Sequence, residues 1–179
     1  MHMSFINIEF KAKAINIKQL EEKLLTLHPV FKGEDHQIDT YFNVSQGRLK
    51  LREGNIENAL IYYERADTAD AKQSNVMLYQ HQPSDALKDI LIEVHGIKVV
   101  VDKKRRIHFV DNVKFHFDEV RSLGTFVEVE AIDKDGGIGV EKLKEQCDFY
   151  FDFFELHNDD YINYSYSDLL LSINNDSNV

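Results

Sequence analysis

Apolar and charged side chains alternate residue by residue in stretch after stretch of this 179-residue chain, and within most stretches the charges carry one sign. In RLKLR, an extended strand sends Arg48, Lys50 and Arg52 to one face and Leu49 and Leu51 to the other. VEVE separates Glu128 and Glu130 from Val127 and Val129, and KFHFD separates Lys114, His116 and Asp118 from Phe115 and Phe117. NIEFKAKA sets Glu9, Lys11 and Lys13 against Ile8, Phe10, Ala12 and Ala14. YYER places Tyr63 with Arg65, and KKRRIHF places Lys103 and Arg105 with Ile107, against Lys104, Arg106 and His108. A period of two specifies strands with one apolar and one polar face.

The polar face has two readings. A one-sided antiparallel sheet exposes it to water, and such faces usually mix charge signs and add Thr, Ser and Gln. Here cations recur ~7 Å apart along one strand face. They repel modestly in water and strongly once desolvated. The arrangement makes sense around a polyanion, with Glu128, Glu130 and Asp118 offering oxygens to a hard divalent cation that bridges it. From the pattern alone both readings stay open.

Composition narrows the partners. A formal charge of −10 disfavours nucleic acid polymers and anionic membranes. The lone cysteine, Cys147, excludes an intrachain disulfide and a thiolate zinc site, and fits a reducing cytoplasm. On an aromatic-rich helix, it is expected to be a buried structural thiol. No secretory leader is visible and no apolar run reaches 18 residues, so a cytoplasmic protein is expected. Residues 3–173 are read as one domain, Met1-His2 as a cloning remnant, and 174–179 as a frayed polar tail.

Eight strands and three or four helices are expected, an α+β class in which the strands would close into a barrel. Strands are read at 5–14, at HQIDTYFNV, at the hairpin pair GRLKLREG and NALIYYERAD, and at VMLYQHQ. A second hairpin turns at Asp111-Asn112, and TFVEVEAI is the last long strand. AKQSN is read as a loop. Helices are expected from Ile17 to about His28 behind a capping box at Asn16 and Gln19, from Ser84 to Gly96, from Val140 to Phe154, and from Ser167 to Ser172.

NIEFKAKA, QIDTYFNVSQGRLKLRE, LIYYERAD, VVVDKKRRIHFVDNVKFHFDEVRSLGTFVEVEA and SYSDLLL occur in that order across nearly the whole chain. Together they resemble the CYTH superfamily, or triphosphate tunnel metalloenzymes, and within it the class IV adenylyl cyclase type. The resemblance implies a closed eight-stranded antiparallel barrel with helices outside. Its charged bore would bind a triphosphate with magnesium or manganese, polar strand faces turned inward. The family's signature on its first strand is Glu-x-Glu-x-Lys. Read as Glu9-x-Lys11-x-Lys13, it has Lys11 in place of the second Glu, which favours one metal over two. An aromatic that follows the family's basic pair falls on His108, a second departure.

By this resemblance Lys11, Lys13, Arg48, Lys50, Arg52, Arg65, Lys103, Arg105 and Lys114 contact phosphate. Glu128, Glu130, Asp118 and Glu9 ligate the metal, and Glu9, Lys13 and Glu130 carry the chemistry. Asp39, Tyr41 and His116 support them, Asp39 by orienting a basic neighbour. Tyr63 has three readings, packing on a base, lining the tunnel or packing in the core, of which core packing is favoured. The reaction would be ATP to cyclic AMP and pyrophosphate. The alternatives are hydrolysis of an inorganic or organic triphosphate such as thiamine triphosphate, and noncatalytic triphosphate or nucleotide binding. A homodimer is a further implication of the resemblance.

Overall fold

The computed structural model describes residues 2–65 and 72–176, with side chains described for 6–64 and 76–174. The chain runs β1 (His2–Lys13), α1 (Ile17–Leu25), β2 (Val30–Phe42), β3 (Arg48–Glu53), β4 (Ala59–Arg65) and β5 (Lys72–Gln80). It continues through α2 (Asp85–His95), β6 (Ile97–Val110), β7 (Val113–Val120), β8 (Gly124–Asp133), α3 (Val140–Phe153), a 3-10 turn at Asn158–Asp160 and α4 (Tyr166–Asp176). The eight strands make one antiparallel sheet in the order β1-β5-β4-β3-β2-β6-β7-β8. β1 pairs with β5 over residues 2–9 and with β8 over residues 6–13, so the sheet curls into a barrel.

The apolar faces of the alternating strands point outward, under helices. Ile8, Phe10 and Ala12 of β1, Phe115 and Phe117 of β7 and Val127 and Val129 of β8 are buried with Leu143, Cys147, Tyr150 and Phe154 from α3 and its C-cap. Ile17 and Leu24 of α1 extend the same core. Phe115 meets Tyr150 edge-on at 4.6 Å between ring centres. Such aromatic packing contributes ~1 kcal/mol beyond area burial. With the apolar faces outside, the charged faces line the bore.

Element boundaries depart from expectation where local chemistry differs. α1 ends at Leu25, three residues early, because the Thr26 hydroxyl donates to the Lys23 carbonyl at 2.7 Å and His28 turns to φ 52°. The Asn16 side chain caps α1 by accepting from the Gln19 amide, but Gln19 bonds back to the Asn16 side chain rather than completing the box. AKQSN is not all loop: Lys72–Asn75 belong to β5, paired with Asn75, Ser74, Gln73 and Lys72 opposite Ile6 to Glu9. β2 starts at Val30, well before the expected strand, through a register shift between Phe31 and Gly33. α4 carries on through residues 174–176, expected to be frayed. Gly96 ends α2 as expected, at φ 68°. Gly54 sits in the β3–β4 turn, where a Cβ would lie 2.6 Å from the Asp35 carboxylate.

Candidate functional site

The cationic side of the bore is organised around one carboxylate. Asp39 projects inward from β2 and is 1% exposed. It accepts from Arg52 Nε at 2.8 Å and Nη2 at 2.9 Å, from Lys103 Nζ at 2.7 Å and from Lys50 Nζ at 3.1 Å. The register explains the convergence: Asp39 lies opposite Arg52 of β3 on one side and Val101 of β6, two residues from Lys103, on the other. Burial pushes the Asp39 carboxyl up, but Arg52, Lys103 and Lys50 outweigh it and hold it well below the usual range. Burial pushes Lys103 down; Asp39 opposes this, Arg52, Arg105 and Lys50 reinforce it, and the ammonium falls to about 7.

The acidic side lies on β7 and β8. Arg105 donates to both oxygens of Asp118 and, at 2.6 Å, to Glu128. The Tyr166 hydroxyl also donates to Asp118, at 2.7 Å. Lys11 Nζ lies 3.3 Å from Glu128 and 4.3 Å from the Tyr166 ring centre. Burial raises Glu128, yet Lys11, Arg105 and His116 hold it well below the usual carboxylate range. His116 Nδ1 is 3.3 Å from Glu128 and 4.0 Å from Glu130. Burial, with Arg105 and Lys114 nearby, lowers the His116 pKa and favours the neutral ring.

Ligand atoms of His116, Glu128 and Glu130 lie within 4.8 Å of one another. His116 Nε2 is buried without a hydrogen-bond partner. One imidazole nitrogen and two carboxylates make a donor set that fits a divalent cation. Asp118 stands apart from this set. Arg105 and Tyr166 engage its oxygens, and it is fully buried.

Between these sides lies a cavity of about 650 Å³ lined by Glu9, Lys11, Asp39, Tyr41, Lys50, Arg52, Lys103, Arg105, Lys114, Glu128 and Glu130, among others. Lys50 Nζ sits 5.4 Å and 5.7 Å from the ring centres of Tyr41 and Tyr63. Tyr63 lines the cavity and packs against the buried cluster of Ala59, Ile61 and Val76. Lys13 does not line it. Its neighbour in register is Phe126, which packs on Tyr166 beside Leu169 and Leu170 of α4. Those residues fill the barrel's interior at that level, and Lys13 is exposed. Arg48 is ion-paired to Asp168 of α4 at 2.8 Å and lies behind Tyr63. The Arg65 side chain lies outside the described residues. His108 faces out of the barrel, bonded to Glu21 of α1 and stacked near Phe31.

Three contributors escaped the alternation argument. Glu57 lines the cavity from the β3–β4 turn and pairs with Arg52 at 2.9 Å and with Lys114. Asp35 accepts from the amides of Ile56 and Glu57 at 2.9 Å and fixes that turn. Tyr166 reaches in from α4. None belongs to an alternating strand run with a single charge sign. For Tyr166 a signal existed in SYSDLLL, the last of the ordered stretches.

An antiparallel barrel whose bore carries clustered Lys and Arg beside an acidic metal-type cluster defines a class of anion-binding, metal-compatible tunnels. The chain belongs to the CYTH domain family, whose model matches residues 6–150. No curated protein matches the chain significantly. Among solved structures, it is similar to the PH1012 protein of Pyrococcus horikoshii at 24% identity and TM-score 0.77, over 91% of this chain and 98% of the other. A candidate adenylate cyclase of Vibrio parahaemolyticus is similar at 18% identity and TM-score 0.73, covering 92% and 97%. A candidate adenylyl cyclase of Hippeastrum, described as having a dominant triphosphatase activity, is similar at 14% identity and TM-score 0.58, covering 90% and 91%. At these identities the likeness shows the fold. Among the described residues no helix is long and apolar enough to cross a membrane.

Proposed function

We propose that this protein is a metal-dependent enzyme acting on a triphosphate held in the bore of a closed barrel, of the class IV adenylyl cyclase type. The observation that carries the reading is the convergence of Lys11, Lys50, Arg52, Lys103, Arg105 and Lys114 on one cavity that also receives Glu128 and Glu130. Phosphoryl chemistry asks a protein for positioning and charge neutralisation more than for covalent catalysis. In the free protein the cations are held by Asp39, Glu57, Asp118 and Glu128. A triphosphate would take over part of that pairing, with Arg52 and Arg105 already aimed inward by two-pronged contacts.

His116, Glu128 and Glu130 would hold the metal. When bound, magnesium or manganese would neutralise phosphate charge and lower the cost of the leaving group's charge. Lys11 and Arg105, released from Glu128, would contact phosphate oxygens. The β1 side chains that line the cavity are Asn7, Glu9 and Lys11. The signature Glu-x-Glu-x-Lys therefore falls on Asn7-x-Glu9-x-Lys11, with Asn7 as the departure and Lys11 in the lysine position. One acidic side chain is still missing, which keeps the reading at a single metal.

A second reading is hydrolysis by water at the terminal phosphate. The Hippeastrum protein, a candidate cyclase described with dominant triphosphatase activity, favours keeping it. The test is incubation with magnesium or manganese and ATP, inorganic triphosphate or thiamine triphosphate, with products resolved. Cyclic AMP with pyrophosphate supports the cyclase; orthophosphate alone supports the triphosphatase. Triphosphate binding without product under either metal overturns the enzyme reading.

A further inference from the structure

The Glu57 side chain crosses the bore. One carboxylate oxygen accepts from Arg52 Nη1 of β3 at 2.9 Å, and the other accepts from Lys114 Nζ of β7. β2 and β6 lie between those two strands, so the cations stand on walls three strand spacings apart, roughly 14 Å around the sheet. A carboxylate that meets both lies over the cavity rather than against either wall. Gln37 Nε2 adds a third donor at 3.0 Å. Two cations and an amide converging on one anion are also the kind of donors that a phosphate group takes.

The turn that carries Glu57 is pinned. Asp35 accepts from the Ile56 and Glu57 amides, and Asn55 bonds the His36 amide at 2.6 Å and the Glu34 carbonyl at 3.0 Å. The side chain is placed differently from the other carboxylates that hold the cations. It is 27% exposed, against 2% for Asp39, 0% for Asp118 and 9% for Glu128. Those three project from strands and are out of water, whereas Glu57 has solvent to rotate into without moving its turn. Val120, at one end of β7, packs with α4, and Lys114 lies at the other end, so Glu57 stands at the end of the bore away from that helix. Burial raises the Glu57 carboxyl, but Lys114, Arg52 and His116 hold it well below the usual range and favour the anion.

Resting on the triphosphate reading above, we propose that Glu57 is a built-in competitor of the ligand: its carboxylate stands in one phosphate position, and a bound triphosphate displaces it from Arg52 and Lys114. The exchange does not disturb the aim of Arg52, because Asp39 holds Nε and Nη2 while Glu57 takes only Nη1. Glu57 therefore keeps two cavity-lining cations paired in the free protein and sets the threshold that an anion must overcome to enter.

The experiment is calorimetric titration of the full chain with inorganic triphosphate, with and without magnesium, on the parent, Glu57→Gln and Glu57→Asp. Glu57→Gln is expected to bind about tenfold or more tightly than the parent, because no internal ion pair has to be broken. Glu57→Asp, one methylene shorter, keeps the charge but loses the reach to both cations, and is expected to show part of that gain. Glu53→Gln is the control for net charge: Glu53 pairs with Lys88 of α2 at 2.6 Å on the outer side of β3, and its loss is expected to shift affinity less than twofold. A purely structural Glu57 would not tighten binding when removed. Glu57 variants that bind as the parent does or more weakly, that gain no more than Glu53→Gln, or that both fail to fold overturn the inference and leave the triphosphate reading to the parent's own titration. If neither the parent nor any variant binds inorganic triphosphate, both fall.

Discussion

Lys103 Nζ lies 2.7 Å from Asp39 Oδ2, and both side chains are almost entirely out of water. Asp39 meets Lys103, Lys50 and Arg52 together, and Glu57 shares Arg52 with it, so the cluster gathers more cations than carboxylates before any ligand arrives. Burial and the neighbouring cations lower Lys103 to about 7, against an ordinary value of 10.5. Between those two values the unfolded chain binds more protons than the native one, so this residue makes stability rise with pH across that window.

A bound polyanion favours the charged ammonium and raises the Lys103 pKa again. Triphosphate binding above pH 7 is therefore expected to take up protons, approaching one per site, and to weaken by up to about tenfold per pH unit. The measurement is calorimetry at pH 8 in buffers of different ionisation enthalpy, above the last ionisation of triphosphate itself. Lys103→Arg, which stays charged, is expected to abolish the uptake. Binding heats that do not depend on the buffer would remove this account of Lys103.

Asp39→Asn keeps the shape of the hub and removes its charge. Breaking a buried ion pair from one side costs about 3–5 kcal/mol, because the cations left behind stay desolvated and unpaired. The variant is expected to melt well below the parent. Inorganic triphosphate, able to stand in for the lost charge, is expected to raise its melting temperature more than it raises the parent's. An equal increment in both would mean that ligand and Asp39 do not share these cations.

Strand alternation made the barrel walls legible because a period of two forces Leu49, Phe115 and Val127 to one side and Lys50, His116 and Glu128 to the other. Only the curl of the sheet decides which side is the interior, and that curl rests on a long-range pairing of β1 with β8 that no local window contains. The depth of each inward residue was equally hidden. Lys11 and Lys13 look alike in sequence, but Tyr166 and α4, more than 150 residues on, determine that one faces the cavity and the other does not. Nor does spacing show that both oxygens of Asp118 are engaged by Arg105 and Tyr166. Glu57 sits in a turn, where spacing carries no facing information.

The depth difference along β1 gives a direct comparison. Lys11 is buried against Glu128 and lines the cavity, whereas Lys13 is exposed level with Phe126. Lys11→Ala is expected to weaken triphosphate binding tenfold or more, since a desolvated charge-assisted contact contributes roughly 1.5–3 kcal/mol. Lys13→Ala is expected to stay within twofold of the parent in both affinity and turnover. Competitive titration of the two variants side by side checks this. A reversal of the order would move the signature back to Glu9-x-Lys11-x-Lys13.

Glu130 is the best-placed residue for separating metal chemistry from folding. It is only half-buried, it lies 4.0 Å from His116 Nδ1, and its register neighbours are Glu9 on β1 and Lys114 on β7. Unlike Glu128, it has no close ion-pair partner among the described contacts, so its removal leaves no buried cation stranded. Glu130→Gln is expected to leave the melting temperature within about 2 °C, as for substitutions outside packed cores and buried networks. Metal-dependent turnover is expected to fall by more than the roughly 100-fold that changes behind a metal's direct ligands cost. Manganese titration followed by electron paramagnetic resonance checks the cause: the variant should bind the ion more weakly, and His116→Gln should do the same. Unchanged manganese binding in both variants would show that the His116, Glu128 and Glu130 cluster is an ion-pair network of the barrel wall.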